Sequence, residues 1–406
     1  VSSIIAAMAI GGAVAVRSTA RSTTLRSDTS DARFLATAGI EAVRAVIASD
    51  SNWRTNRSNG TWFSNVSLVA SGAGAKTPGN FTVSVVNPSG ALNRSSSDSV
   101  TITSVGAART ATHTLSATLG VTASAAYTCV NTSAFAAVQV NVNSASITAS
   151  GQILSTNGLI VASLTGNNVP VDVESGLLST GLVGFTGKNT VLSTPRTYPD
   201  STAFDWYSSN GTSITYTSLP SGQSGRIIDR QLLSPTANPF GATASNGIYV
   251  INCGGGKLTI QDSRIVGTLV VLNASLVVVQ NSVNWAPASS GMPALMVQGP
   301  LQLAYTATNL NETLGVNFNP SSTPYPYVGG TSNSNQTDSY PSAITGLVYA
   351  SGDITTSNSI TVHSLITRGT LNISGTLNLR SDFRYASSPP PGFCSYTFGI
   401  LDNSYQ

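Results

Sequence analysis

The reading that decides the fold begins at Gly346–Leu379, GLVYASGDITTSNSITVHSLITRGTLNISGTLNL. Ile354, Ile360 and Val362 recur as Leu371, Leu377 and Leu379, an offset of 17 residues, with Ser, Thr and Asn between them. That offset is too long for one arm of a hairpin. It suits one coil of a parallel β-solenoid, in which each turn buries its aliphatic side against the next and leaves neutral polar residues facing water. Lys257–Val283, KLTIQDSRIVGTLVVLNASLVVVQNSV, reads the same way, with Leu258 and Ile265 mapping onto Leu276 and Val283 at an offset of 18. Shorter runs upstream continue the pattern: VQVNVN at 138–143, ITASGQI at 147–153, NGLIVAS at 157–163 and SGLLSTGLVGF at 175–185. These runs predict a parallel β-helix, or solenoid, over residues 126–388. It is interrupted by long loops near 195–241 and 306–341, which are rich in Pro, Ser, Asn and Tyr. A β-sandwich body is the alternative, because many short strands bounded by Gly and Asn fit it too. The tail 389–406 opens on Pro389, Pro390 and Pro391, a stiff extended run expected to fold back as a cap over the final coil.

Upstream of the solenoid the pattern is different. Phe81–Val86, Ser99–Val105 and Thr112–Val121 alternate apolar and polar residues with period two and are separated by Asn-Pro-Ser-Gly and Gly-Ala-Ala turns. They predict a small antiparallel β-meander within 53–125, preceded by a loop from Trp53 to Ser67. Residues 1–52 carry no Pro, and residues 1–16 (VSSIIAAMAIGGAVAV) carry no charge. Over 27–49 the apolar positions Phe34, Leu35, Ala38, Ala42, Val43, Val46 and Ile47 recur at steps of three and four, with Arg33, Glu41 and Arg44 off that stripe. One long helix is predicted, apolar at 1–16 and amphipathic at 27–49, with Gly11, Gly12 and Gly39 as its weak points. Its apolar stripe would pack on the meander. The fold class is thus mainly β with one long N-terminal α-helix. Sixteen apolar residues reach ~24 Å, short of the ~30 Å hydrocarbon layer, so the front is a marginal membrane span. A protruding apolar rod of this kind needs lipid or copies of itself around it.

An apolar half-helix, an amphipathic second half (Asp31–Ile47, DARFLATAGIEAVRAVI) and a β-rich body together resemble type IV pilins and the pilin-like proteins of bacterial secretion systems, the pseudopilins and minor-pilin-like members. Phe34–Glu41 is similar to the end of the helix in the larger minor-pilin-like members. The resemblance covers about residues 1–50. It implies a precursor held in the cytoplasmic membrane, removal of a leader by a peptidase, and bundling of the apolar helices into a filament core through Ile4, Ile5, Met8, Ile10, Val14 and Val16. Bacterial members usually carry Glu at the fifth mature position, where Ile5 stands here, and no acidic residue precedes Asp28. Archaeal pilins, which the pattern also resembles, commonly lack that Glu.

Composition narrows the chemistry. Of 406 residues only 35 are charged, and Ser plus Thr make up about 27%. Residues 17–57 hold seven Arg against four acidic residues, which accounts for the whole formal charge of +3. The neutral remainder argues against nucleic acid as a partner, since that needs a face of Lys and Arg. Two histidines, His113 and His363, and three widely spaced cysteines offer no metal motif, so no metal and no cofactor are expected. In an exported chain, Cys129, Cys253 and Cys394 allow one disulfide of unassigned pairing and one remaining thiol; three buried small residues is the other reading.

No catalytic residues are expected either. A polysaccharide-cleaving β-helix enzyme needs clustered carboxylates, and the candidates are Asp262 with Arg264, Asp353, and Asp382 with Arg384. Asp262 and Arg264 share a strand face and are expected to form a surface ion pair. A Ser nucleophile would need His113 or His363 as base. Gly254-Gly255-Gly256-Lys257 lacks the spacing of a phosphate loop and reads as a turn. Asn56, Asn59, Asn65, Asn80, Asn93, Asn131, Asn210, Asn273, Asn311, Asn335 and Asn372 open N-x-S/T sequons and are candidate N-glycosylation sites. The functional expectation is a non-enzymatic structural subunit of an extracellular type IV pilus-like filament, with identical copies as partners and the β-rich body outermost. The alternatives are a membrane-anchored or tip-located pilin-like protein that binds surface glycans as an adhesin, and a secreted β-helix enzyme that degrades polysaccharide.

Overall fold

The computed structural model describes residues 2–405 apart from 51, 69–78, 96, 149–151, 165–168, 181, 325–331, 381–383 and 403, with side chains described from residue 13 onward except at 144, 152 and 164. The chain divides into two compact units, Val1–Ser124 with Tyr396–Gln406, and Ala125–Ser395.

The first unit is built on α1 (Ser2–Ser49), a helix of 48 residues, or ~72 Å. Its stripe is as predicted at six of seven positions. Leu35 and Val43 are buried, together with Ala32, Ala36 and Ile40, and Ala38, Ala42, Val46 and Ile47 are half-buried, but Phe34 is 68% exposed. The buried positions recur at steps of three and four and face an antiparallel sheet of order β1 (Gly60–Leu68), β2 (Gly79–Val86), β3 (Val100–Ala108), β4 (Ala111–Ala126) and Cys394–Ile400. Alternation sets the sheet's inner face: Phe81, Val83 and Val85 on β2 and Val100 and Ile102 on β3 are buried. Their register places Phe81 opposite Gly106 and Val83 opposite Ser104.

Two glycines let helix and sheet backbones approach. A Cβ on Gly106 would lie 2.1 Å from the Ala32 carbonyl oxygen and 2.4 Å from the Ala36 nitrogen, and one on Gly39 would lie 2.2 Å from Ser104 Oγ. Gly39, expected to weaken the helix, is instead the point at which it touches the sheet.

Two further expectations are corrected in this unit. Trp53–Ser67 is not a loop: it holds a short helix, Trp53–Asn56, and most of β1. The tail does not cap a coil: Cys394–Ile400 is the fifth strand of the antiparallel sheet, and the Leu401 amide donates to the Thr118 carbonyl at 2.9 Å. Trp53 and Arg54 close one end of the core. The guanidinium sits 4.3 Å above the Trp53 ring and donates to the Leu92 carbonyl at 3.0 Å, and burial lowers its pKa to about 10.

The second unit is built on parallel strands in one hydrogen-bonded set that closes as a barrel, with a separate antiparallel pair, Leu310–Asn311 and Ser339–Tyr340. Ile354, Ile360 and Val362 lie opposite Leu371, Leu377 and Leu379 on neighbouring parallel strands, at the offset of 17. The offset of 18 is corrected. Leu258 faces Val277 rather than Leu276, and a register shift between Gln261 and Ser263 brings Ile265 opposite Trp285. The shift has a local cause: Asp262 and Asn281 both take left-handed backbone, with φ of 45° and 58°, and the Asn281 amide donates to the Asp262 carboxylate at 2.8 Å.

The expected solenoid is overturned by the pairing as a whole. An open solenoid stacks its coils in chain order and leaves two ends. Here Ser359–Thr367 and Thr370–Leu379 pair with Ala134–Ala136 and Gln139–Thr148, so the last parallel strands of the unit lie beside the first, and the set closes on itself. The β-sandwich alternative fails too, because these pairings are parallel. Within the loop expected at 195–241, Thr212–Ile214, Arg226–Asp229 and Leu232–Leu233 join the set by pairing with Ile248–Asn252 and Lys257–Val266.

Inward positions are aliphatic and buried, among them Leu258, Ile260, Val277, Val279, Leu301, Leu303, Ile354, Leu371 and Ile373. Each contributes about 1.5–3 kcal/mol by leaving water. The large aromatics among them find polar partners: Trp285 donates to the Gly267 carbonyl at 3.0 Å, Tyr249 to Ser234 at 2.6 Å, and Tyr305 to Thr361 at 2.5 Å. Stacked amides support the register from outside. Gln280 donates to Gln261 at 2.6 Å and Gln261 to Asp229 at 3.1 Å, while Asn141 donates to Asn372 at 2.9 Å. These are the ladders that parallel in-register neighbours allow.

Candidate functional site

The front of α1 is the first candidate. From Ala13 to Arg26 every residue is exposed, including Val14 at 61% and Val16 at 70%. The side chains of Ile4, Ile5, Met8 and Ile10 lie outside the described residues. The hydroxyls along this stretch bond back to the helix: Thr19 donates to Ala15, Thr23 to Thr19, Thr24 to Ala20 and Thr29 to Leu25, at 2.8 to 2.9 Å. Burial begins at Asp28, whose carboxylate takes a 3.4 Å contact from Arg109. Among the described residues, no helix is long and apolar enough to cross a membrane.

Arg264 does not pair with Asp262 on the surface. It is buried, donates to the Phe318 carbonyl at 2.7 Å and lies 4.9 Å from the Tyr340 ring, while Asp262 accepts from Asn281. Burial lowers the Arg264 pKa. Beside it Glu312, fully buried, accepts from the Phe318 amide at 2.7 Å, the Asp338 amide at 3.1 Å and the Tyr340 hydroxyl at 2.8 Å. This network ties down the long 306–341 loop; its members are spread over 77 residues of sequence, from Arg264 to Tyr340. Burial, and then the Glu312 hydrogen bond, raise the Tyr340 pKa, so the phenol stays a donor.

Asp353 accepts from the Thr370 amide at 2.7 Å and so fixes a turn. Asp382 lies outside the described residues, and Arg384 is exposed on a short helix. His113 stands on β4 opposite Gly106, and His363 on a parallel strand between buried Val362 and Ser364. In the Gly254–Lys257 turn the amides of Gly254, Gly255 and Gly256 already donate to Asn252 Oδ1, the Asn273 carbonyl and the Cys253 carbonyl. They are not directed at a phosphate. Among the described residues, no group of three or more His, Cys, Asp or Glu is placed to hold a metal.

No disulfide joins the cysteines among the described residues. Cys129 and Cys253 are buried and Cys394 is half-buried. Burial raises the Cys129 thiol pKa and pushes that of Cys253 to about 11, so both stay protonated at neutral pH. Of the sequon asparagines, Asn56, Asn59, Asn65, Asn93, Asn131, Asn273 and Asn335 are exposed, while Asn80, Asn210, Asn311 and Asn372 are half-buried. Some amides are engaged: Asn59 donates to the Gly90 carbonyl at 2.8 Å, and Asn273 to Asn252 at 3.1 Å.

Sequence reasoning missed a cleft of about 620 Å³ in the second unit, lined by Trp206, Asn210, Ser245, Asn246, Ser289 and Met292 among others. Its only sequence signal is a tryptophan among Ser and Asn in a segment read as loop.

No protein-family model matches the chain, and no curated protein is similar to it. Among solved structures it is similar to the competence-associated pilin ComZ from Thermus thermophilus, with a TM-score of 0.36 and 11% identity over 93% of this chain and 97% of that one. A likeness of that size decides neither architecture nor function.

Proposed function

We propose that the chain is a pilin-like structural subunit of an extracellular, type IV pilus-like filament. Identical copies associate through the front of α1, and the β-rich units form the outer surface. The observation that carries this reading is the run Ala13–Arg26, ~21 Å of helix with no tertiary cover, continuing an uncharged apolar stretch toward the amino terminus. An isolated helix of that length is marginal in water, so a partner surface is needed to keep it helical. Thr19, Ser22, Thr23 and Thr24 donate their hydroxyls within the helix, which lowers the cost of burying them in a bundle. The few charges beyond residue 57 let outer surfaces pack without like-charge repulsion. Before assembly the same apolar segment would hold the precursor in the cytoplasmic membrane.

Electron microscopy of the purified full chain and of a variant lacking residues 1–25 tests the reading. The full chain is expected as fibres and the variant as a soluble monomer. Fibres that persist in the variant overturn it.

A further inference from the structure

We infer that the cleft around Trp206 is a binding site for a neutral oligosaccharide. The site is built in advance of any ligand. Asp200 accepts from the Thr202 amide at 2.8 Å and caps the turn Ser201–Phe204, which leads directly into the short helix Asp205–Asn210. Tyr207 is fully buried and holds the Trp206 ring edge-on at 5.1 Å. Asn210 donates to the Trp206 carbonyl at 2.7 Å. Asn246 donates to the Asn210 carbonyl at 2.8 Å and accepts from the Ile248 amide at 3.0 Å. The two walls of the cleft are thereby tied together, which lowers the ordering cost of binding.

The lining selects the ligand class. Among the described residues no Asp, Glu, Lys or Arg lines the cleft, so a phosphate, a uronate or an ammonium group would find no counter-charge there. A purely apolar ligand would strip water from the Ser245, Ser289 and Asn246 groups without replacing it. A sugar fits both demands. The electron-rich face of an indole takes the polarised C–H groups of a pyranose ring, and sugar hydroxyls exchange hydrogen bonds with the Ser245 and Ser289 hydroxyls in either direction. The volume of about 620 Å³ falls within the ~300–1,000 Å³ range of small-ligand clefts. The site belongs wholly to the second unit and does not depend on α1 or on filament formation.

The test titrates the full chain with short cello-, malto-, manno- and chito-oligosaccharides, with oligogalacturonate as the anionic comparison, by calorimetry and saturation-transfer NMR. At least one neutral series is expected to bind, and Trp206→Ala to weaken it by about tenfold or more, a loss of ~1.4 kcal/mol. Ser289→Trp fills the cleft from an exposed position, and is expected to cause the same loss without touching the core. Failure of every neutral series to bind, preference for the anionic series, or affinity unchanged in Ser289→Trp each overturns the inference. Sugar binding retained by a chain that forms no fibres would sink the filament reading and leave this one standing.

Discussion

Two stretches of α1 share one helix and have opposite environments. From Ala32 to Val43 the helix lies on β2 and β3 closely enough that Gly106 has no room for a side chain, whereas from Ala13 to Arg26 nothing covers it. Both stretches contain aliphatic residues, so hydrophobicity alone does not separate them. What differs is the pattern: the rear stretch concentrates Leu35, Ile40 and Val43 on one side, and the front passes from apolar Ala13–Val16 into a run of Ser and Thr with Arg17, Arg21 and Arg26. A one-sided stripe is matched by one sheet. The exposed Val14 and Val16, continuing an uncharged apolar stretch, require a surrounding medium or several neighbours.

Substitutions can break this contrast. The largest effect is expected from Gly106→Val, which drives carbon into the Ala32 and Ala36 backbone and should cost about 4 kcal/mol, read as lost hydrogen-exchange protection across β3. Ile40→Ala leaves a cavity at a fully buried position and should cost about 3 kcal/mol by the same measurement. Phe34→Ser, on the uncovered side of the same turns, should change stability by less than about 0.5 kcal/mol while altering fibre yield if neighbouring copies pack there. Val16→Ser should likewise leave β3 protection unchanged; a loss of protection in this variant would mean that the front is not independent of the sheet.

A smaller, pH-dependent effect is expected at Asp205, whose pKa is pushed up to about 6 by burial and by Asp200. The folded state therefore holds a proton that the unfolded chain releases near 3.8. This contribution to stability is present below that pH and is lost as pH rises through about 6. Asp205→Asn should raise stability at pH 7.5 by about 1 kcal/mol or less once solvent screening is allowed for, with no gain below pH 4. A melting-temperature series against pH reads this directly, and a gain that is constant with pH would refute it.

The elements that were legible are those whose signal is local. The helix, the strands β2 to β4 and the 17-residue pairing of Ile354 with Leu371 follow from spacing along the chain. β1 was missed because two register shifts disturb its alternation, leaving no period to read. The shift at Asp262 and Asn281 was missed because left-handed Asp and Asn carry no distinctive neighbours in sequence. Arg264 looked like half of a surface pair because its strand partner is two residues away, while its true neighbours, Phe318 and Tyr340, come from a distant loop. The cleft at Trp206 was illegible for the same reason, its lining residues Trp206, Asn246 and Ser289 being far apart in sequence.

By itself the sequence determined the long helix, the strands β2 to β4 and the 17-residue aliphatic repeat, together with the scarcity of charge. Periodicity fixes which face of an element is apolar, because side-chain direction follows backbone geometry. Only the tertiary structure decided what each face meets. The aliphatic repeats specify parallel pairing but not the neighbour, since any coil of similar profile fits any other. The choice that sets Thr370–Leu379 beside Gln139–Thr148, and so closes the barrel rather than leaving an open stack, comes from contacts between residues more than 200 positions apart.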